Sequence, residues 1–298
     1  MGAVLRCAMK SLSLSTKRKI AKIVKGTLFY ALCAALTLFF LFPVYVMVSR
    51  SFMTGLEVQS NYVKFWSSSP SLDAYAIALD SGVFKYLGNT VVLLATHTVC
   101  VPLSCFLCAY GFSKCAFKGR DFWFAVALGC TMISGSVTGI PTFLLYAKLH
   151  LYGTYWPLII PAFCGGGIMN IFLVRQFLLA SGTTLDEAAK IDGANTLQRM
   201  FYINFPIVFP ILLYIASNAF LGVWNDYKGP LIYIRDSNKM TFALGLYQKY
   251  FRGSADSGSL VNVQMAVCVL MSSVPMVLFA IFQNRIIGGV QLFGSVKG

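Results

Sequence analysis

Carboxylates are scarce in this chain: its 298 residues hold 10 Asp and Glu against 24 Lys and Arg, and only two histidines, His97 and His150. Charged side chains make up 11% of the sequence, where a soluble domain carries about a quarter, so a soluble globular fold is excluded. With the two histidines far apart, no HExxH pattern and no acid in the middle of an apolar stretch, nothing supports an intramembrane enzyme. No catalytic or metal-ligating residue is therefore assigned. A GxxxxGK[ST] phosphate loop is also missing, so any nucleotide chemistry belongs to another polypeptide. The nine cysteines do not make a zinc site, because Cys105-x-x-Cys108 lies in an apolar run beside Cys100 with no second pair. They read as small buried hydrophobes, without a disulfide framework.

What the chain has in abundance is apolar surface: 57% hydrophobic residues, 15% aromatics and a mean hydropathy of +0.71. A helix needs about 20 apolar residues to cross a bilayer. Six stretches qualify, near 26–49, 89–112, 122–147, 155–180, 206–226 and 263–284. The expected fold is an all-α integral membrane protein with six transmembrane helices. Pro102, Pro141, Pro161 and Pro275 fall inside these spans, as do Gly135, Gly139 and the run Gly165-Gly166-Gly167. A bundle tolerates such interruptions, because neighbouring helices and hydroxyls re-satisfy the freed backbone groups and small residues let helices approach closely. The first run, Thr27 to Val48, is too long for a signal core and no clear cleavage site follows, so it reads as an uncleaved span.

Orientation follows from the basic residues. Arg6, Lys10, Lys17, Arg18, Lys19, Lys22 and Lys25 precede the first span with no acid among them, and Lys114, Lys118 and Arg120 follow the second. This asymmetry puts the N-terminus in the cytoplasm, and six spans return the C-terminus there. The loop 227–262 on the opposite side also holds Lys228, Arg235, Lys239, Lys249 and Arg252, so the assignment rests mainly on residues 1–25, a basic cytoplasmic tail. The net charge of +14 adds attraction to anionic lipid. A nucleic-acid role has no soluble domain to live on.

Between the fourth and fifth spans stands a polar segment, TTLDEAAKIDGAN, residues 183–195. Thr184 and Glu187 have the spacing of a capping box. Asp186 and Glu187 fall in the first helical turn, where the helix dipole favours negative charge, and Asp186 precedes Lys190 by four residues in the orientation that suits an ion pair. Gly193 is placed to close the helix in the left-handed conformation, and Asn195 with Gln198 reads as a second start signal. A second short helix, Thr196 to about Phe205, then meets Pro206, which the first turn of the fifth span accepts. Leu185, Ala188, Ala189 and Ile191 give the first helix a low-profile apolar side, while Asp186, Glu187 and Lys190 are expected to remain open to solvent or a partner.

At these residues the chain resembles a known family. Glu187-Ala188-Ala189, Gly193, Ile203 and Pro206 are similar to the EAA loop of the permease subunits of bacterial ABC importers, and Asp192-Gly193-Ala194 is similar to its sugar-importing branch. Trp224-Asn225-Asp226, the segment Pro230-Leu231-Ile232-Tyr233 and the ending RIIGGVQLFGSVKG resemble maltose-type permeases. Phe205 stands where Leu is usual, and Ser295 where Ala is usual. The resemblance implies a type I importer permease fold over residues 26–298, with Glu187, Ala188, Ala189, Asp192, Gly193, Ile203 and Pro206 forming a coupling helix and turn that seat in a cytoplasmic ATPase. It implies a homologous second permease subunit, two ATPase subunits that bind ATP and Mg, and an extracellular solute-binding protein, in the bacterial cytoplasmic membrane. This chain itself is expected to hold no cofactor.

A sugar pathway calls for uncharged hydrogen-bonding groups and aromatic faces in a wet cavity. Candidates are Ser134, Ser136 and Thr138 in the third span, Asn170 in the fourth, Asn218 in the fifth, and Trp224, Asn225 and Asp226 at its outer end. For each, helix packing is an equal reading. Two other functions compete: an importer permease for a non-sugar solute, and an ion-coupled carrier. The carrier should show buried ionisable groups at mid-membrane and repeated halves, and apart from His97 no deep charge is visible.

Overall fold

The computed structural model describes residues 14–60, 64–79, 83–252 and 260–295. The first thirteen residues and the last three of the maltose-type ending lie outside the described residues. Among the described residues the secondary structure is helical, without strands. The chain divides into two compact units, Met1–Ala74 with Gly258–Val269, and Tyr75–Ser257 with Leu270–Gly298.

The first unit contains α1 (Leu14–Ser51), α2 (Gly55–Gln59) and the start of α3 (Asp73–Leu79). Residues 14–25 of the basic tail are thus helical and continuous with the first span. The apolar side chains of α1 from Ile23 to Phe42 are largely exposed, as suits a helix surrounded by hydrocarbon rather than by its own core. After α1 the chain is pinned by polar contacts: Tyr45 Oη and Ser49 Oγ both donate to the Phe65 carbonyl, and Asn262 Nδ2 donates to the Met53 carbonyl at 3.2 Å. Thr54 and Glu57 form a capping box at the start of α2. The Glu57 carboxylate also accepts from Ser67 Oγ at 2.7 Å and the Ser68 amide at 3.0 Å, with Lys64 at 3.6 Å. These donors, Ser67 first, hold its pKa at about 2 against an ordinary 4.5. Its contribution is therefore intact above about pH 4.5 and is lost as pH falls toward 2. Amide exchange at Ser68 should stay slow at pH 5 relative to its intrinsic rate and lose that protection toward pH 2; Glu57→Gln should lose it at every pH.

The second unit is built on α4 (Val83–Lys114), α5 (Arg120–Cys130), α6 (Gly135–Lys148), α7 (Trp156–Phe163), α8 (Ile168–Ala180), α9 (Thr184–Ile191), α10 (Thr196–Asn225), α11 (Lys228–Tyr233) and α12 (Phe242–Tyr250). The last helix, α13, runs Val261–Ser295. Its core lies where α4, α8 and α10 pack: Cys105, Phe106 and Ala109 meet Val174, Leu178, Val208 and Ile215, all fully buried. Lipid is as apolar as these side chains, so the packing is stabilised by close contact and by interhelical hydrogen bonds rather than by the hydrophobic effect.

Among the described residues five helices are long and apolar enough to cross a membrane, or six if one bent pair counts as a span. That pair corrects the expected continuous span 122–147. It is two helices, α5 and α6, bent by 99°, because the Ser134 side chain accepts from the Ser136 amide and starts a new helix after the turn 131–133. The fifth span is longer than expected. Pro206 has no N–H for the Tyr202 carbonyl, and the preceding turn widens into a π-helix, Arg199–Asn204, inside one helix that begins at Thr196. No separate second short helix exists. The eight described cysteines stand outside disulfides, and among them only Cys105 is buried, so most of them are not the core hydrophobes expected.

The fourth span is broken at Gly165, Gly166 and Gly167, whose φ angles are +78, +62 and +119. Side chains take up the freed backbone groups. Ser104 Oγ donates to the Ala162 carbonyl at 2.8 Å and accepts from the Gly165 amide at 3.0 Å, while Asn170 Nδ2 reaches the Gly165 and Gly166 carbonyls at 3.4 and 3.3 Å. A Cβ on Gly166 would lie 2.6 Å from Val101 Cγ1. Gly166→Ala should therefore destabilise the protein by roughly 1–3 kcal/mol, read as a lower melting temperature in detergent. Val101→Ala in the same background should recover part of the loss.

Candidate functional site

Two constructions stand out, one at the end of the bundle and one beside the broken fourth span. At the end, α9 is short, and a helix of its length needs something to dock against. It docks through Asp186. This carboxylate is 8% exposed, pairs with Lys114 Nζ at 2.7 Å, and accepts from Asn204 Nδ2 at 2.7 Å. Lys114 also donates to the Gly182 carbonyl at 2.5 Å, and Asn204 to the Arg199 carbonyl at 3.1 Å. One buried acid thus ties α9 to the last residue of α4 and to the π turn of α10. The expectation that Asp186 stays open and pairs with Lys190 is corrected: burial against α4 brings a better-shielded cation.

The start of α9 also differs from the expected capping box. Thr183, not Thr184, occupies the cap position, no side chain caps it, and the Glu187 amide donates to the Thr183 carbonyl at 2.9 Å. The stop is as read. Gly193 has φ +84, its amide donates to the Lys190 carbonyl at 3.2 Å, and the Ala194 amide donates to Ala189 at 2.9 Å, closing a Schellman turn. The Asn195–Gln198 capping box that starts α10 is formed in both directions, each bond 2.8 Å.

What this fixation leaves outside is chemically distinctive. Leu185 is 59% exposed, Ile191 86% and Leu197 64%, and Glu187, Ala188 and Asp192 are exposed with them. Ala189 and Ile203 are half-buried, and Pro206 is exposed on α10. Beside α9 lies a recess of about 410 Å³ whose walls include Tyr110, Lys114, Glu187, Lys190 and Arg199. The basic residues Lys114, Lys190 and Arg199 therefore share this end of the bundle.

The second construction is a cavity of about 340 Å³ lined by His97, Val101, Pro161, Gly166, Asn170, Asn218, Ala219, Gly222, Val223 and Asp226. The volume is at the small end of ligand cavities, roughly 300–1,000 Å³. The break in the fourth span opens it, because Gly166 there carries no side chain. His97 Nε2 stands 2.8 Å from the Leu158 carbonyl; a carbonyl only accepts, so this nitrogen carries the proton. Asp226 Oδ1 accepts from the Gly229 amide at 2.9 Å. Among the described residues Asp226 has no Lys or Arg partner and the Asn218 amide has no hydrogen bond.

Asn170, Asn218 and Asp226 are thus brought together, with Asn170 also stitching the helix break. The other expected pathway residues lie elsewhere. Ser134 caps α6 and Ser136 and Thr138 lie in its first turn, all three exposed; Asn225 is exposed beside the cavity, and Trp224 is 2% exposed, its Nε1 donating to the Met271 carbonyl at 2.9 Å. Trp224 packs against Phe220 and Phe242 instead of facing the cavity. Sequence reasoning did not find the roles of Lys114 and Asn204, and in counting no deep charge apart from His97 it passed over Arg175 in the fourth span. The Arg175 guanidinium lies on α8, 3.0 Å from Asp121, 3.1 Å from the Phe112 carbonyl and 4.3 Å over the Phe124 ring. Among the described residues no group of acids, cysteines and histidines is placed to hold a metal.

With that geometry in hand, comparison with known proteins is informative. The profile of the family described as "Binding-protein-dependent transport system inner membrane component" matches residues 115–291. The chain is 30% identical over 289 residues to the arabinooligosaccharides transport system permease protein AraQ of Halalkalibacterium halodurans, covering 95% of this chain and 100% of that one. It is 28% identical to the polygalacturonan/rhamnogalacturonan transport system permease protein YtcP of Bacillus subtilis, over 91% and 97% of the two chains. In three dimensions it is similar to a chain in the crystal structure of a bacterial ABC transporter involved in the import of the acidic polysaccharide alginate, with a TM-score of 0.77, 21% identity, and 92% and 98% coverage.

Proposed function

The chain belongs to the family of inner membrane components of binding-protein-dependent transport systems, and from that premise we propose that it is the transmembrane subunit of an ATP-driven importer of a sugar or oligosaccharide. One observation carries the cargo class: the similarity to an arabinooligosaccharide permease runs the whole length of that protein. The cavity supports it, since amide, imidazole and carboxylate groups suit hydroxyls.

In this reading α9 is the coupling helix. Leu185, Ala188 and Ile191 are exposed on it without an apolar partner, as a helix destined for a cleft in another protein requires. Asp186 holds it rigid against α4 and α10 so that a domain motion in an ATPase passes into the spans as a rigid-body movement. The basic residues Lys114, Lys190 and Arg199 at this end support its cytoplasmic placement, with both termini on the same side. A second, homologous permease completes the pathway, two ATPase subunits supply ATP and Mg, and an extracellular binding protein delivers cargo. The chain is itself non-catalytic.

The test is reconstitution of this chain with its second permease, ATPase and binding protein in proteoliposomes, with neutral and uronic oligosaccharides offered in turn. At least one oligosaccharide should raise ATP hydrolysis and accumulate inside. Glu187→Ala separates coupling from folding: an exposed residue away from any special feature changes stability by about 0.5 kcal/mol or less, so the melting temperature should hold while cargo-stimulated hydrolysis falls at least about tenfold, which is ~1.4 kcal/mol of coupling. Stimulation only by amino acids or inorganic anions would move the chain to the non-sugar importers.

A further inference from the structure

Resting on the proposed sugar-importing role, we infer that the cavity beside the broken fourth span selects uncharged saccharides over uronic ones, with Asp226 as the specificity-determining residue. The inference comes from its charge inventory. Two titratable side chains line the cavity, His97 and Asp226, and no Lys or Arg does. Asp226 spends one oxygen on the Gly229 amide, 2.9 Å away, and no cation neutralises it among the described residues.

Taken together, the remaining groups favour a hydroxyl over a carboxylate. His97 gives Nε2–H to the Leu158 carbonyl, so its Nδ1 is the ring atom left to face a ligand. Asp226 accepts. Asn218 offers both an amide donor and a carbonyl acceptor with no competing partner in the described residues. A sugar hydroxyl donates to one and accepts from another; a uronate carboxylate only accepts. Two features suit an anion, the neutral amide of Asn218 and the N-terminus of α8, which follows Gly167 without a side-chain cap. The helix end carries about half a positive charge, against the full negative charge of Asp226. A uronate therefore meets net repulsion from the uncompensated carboxylate of Asp226.

The complete transporter in nanodiscs, without its binding protein, isolates this chain's preference from that of the upstream receptor. Binding of radiolabelled arabinotriose and trigalacturonate is measured by equilibrium dialysis at pH 8, at low and high salt. The wild type should bind arabinotriose at least about tenfold more tightly than trigalacturonate, with the gap narrowing as salt screens the repulsion. Asp226→Asn keeps an acceptor for the Gly229 amide. It should reduce the ratio to within about threefold, chiefly by strengthening trigalacturonate binding, with a smaller loss of arabinotriose affinity as a charged acceptor becomes a neutral one. Equal binding of both by the wild type, a preference for trigalacturonate, or an unchanged ratio in Asp226→Asn overturns the inference while leaving sugar import intact. Loss of both sugars in a correctly assembled Asp226→Asn complex also overturns it, by making the residue structural. Should neither trisaccharide bind the wild type nor stimulate its hydrolysis in the full system, the importer reading falls first and this inference with it.

Discussion

Asp186→Ala should lower the stability of the protein by about 3 kcal/mol, the low end for removing one partner of a buried ion pair, because the adjoining recess admits water. The loss has a clear source. Lys114 and Asp186 side chains are 10% and 11% exposed and 2.7 Å apart, so deletion of the acid leaves a shielded ammonium with only the Gly182 carbonyl, and leaves Asn204 with only the Arg199 carbonyl. Asp186→Asn, which keeps an acceptor for Asn204 but no charge for Lys114, should lose less. Asp186→Ala combined with Lys114→Met should recover stability relative to Asp186→Ala alone, since no unpaired charge remains. Thermal unfolding in detergent measures the series. Hydrogen exchange adds location: amides of 184–198 should be deprotected in Asp186→Ala, and those of Leu178 and Val208 in the core should not. If the core opened with them, α9 would be part of the bundle's own stability rather than a device attached to it.

The features legible in the sequence are those set by one residue or by near neighbours. Gly193 announces its turn because a left-handed residue after a helix is a glycine in most cases, and Asn195 with Gln198 announces a cap because both bonds close within four residues. The apolar runs announce spans because length against bilayer thickness is a local quantity. The misses share a cause. Thr183 and Thr184 are adjacent and chemically equal, and the choice between them was made by the backbone bond from Glu187 to Thr183. The Asp186–Lys190 pair looked favourable at helical spacing, but a partner from α4 was closer and better shielded. Hydropathy cannot see direction, so α5 and α6 passed as one apolar span although a 99° bend separates them. Arg175 escaped notice inside a span of high hydropathy, since nothing local shows that Asp121 and Phe124 cover it. His97 reads as a lone polar residue in α4 until packing sets it beside Gly166, Asn218 and Asp226.

Gly193→Pro should abolish cargo-stimulated ATP hydrolysis while basal hydrolysis by the assembled complex persists. The backbone here stands at φ +84, and proline fixes φ near −65°, so the turn cannot form. The substitution also removes the amide that donates to the Lys190 carbonyl and pushes Asp192, now before a proline, away from its cap conformation of φ −70 and ψ 1. The local cost is about 3 kcal/mol or more, enough to unfold the last turn of α9 and release its angle to α10. Sterics are not the cause, because a Cβ at Gly193 would meet nothing within 4 Å. That open space makes a graded series diagnostic. Gly193→Asn, which tolerates the left-handed region, should stay close to wild type, and Gly193→Ala should lose about 1 kcal/mol with a partial loss of stimulation. The order Asn, Ala, Pro ranks residues by what each does to the backbone, with side-chain size and charge playing no part. If stimulation follows that order while Asp186, Lys114 and the spans remain intact, the angle set at Gly193 transmits the motion. If Gly193→Pro hydrolyses ATP in full response to cargo, the motion passes elsewhere and α9 is only a tether.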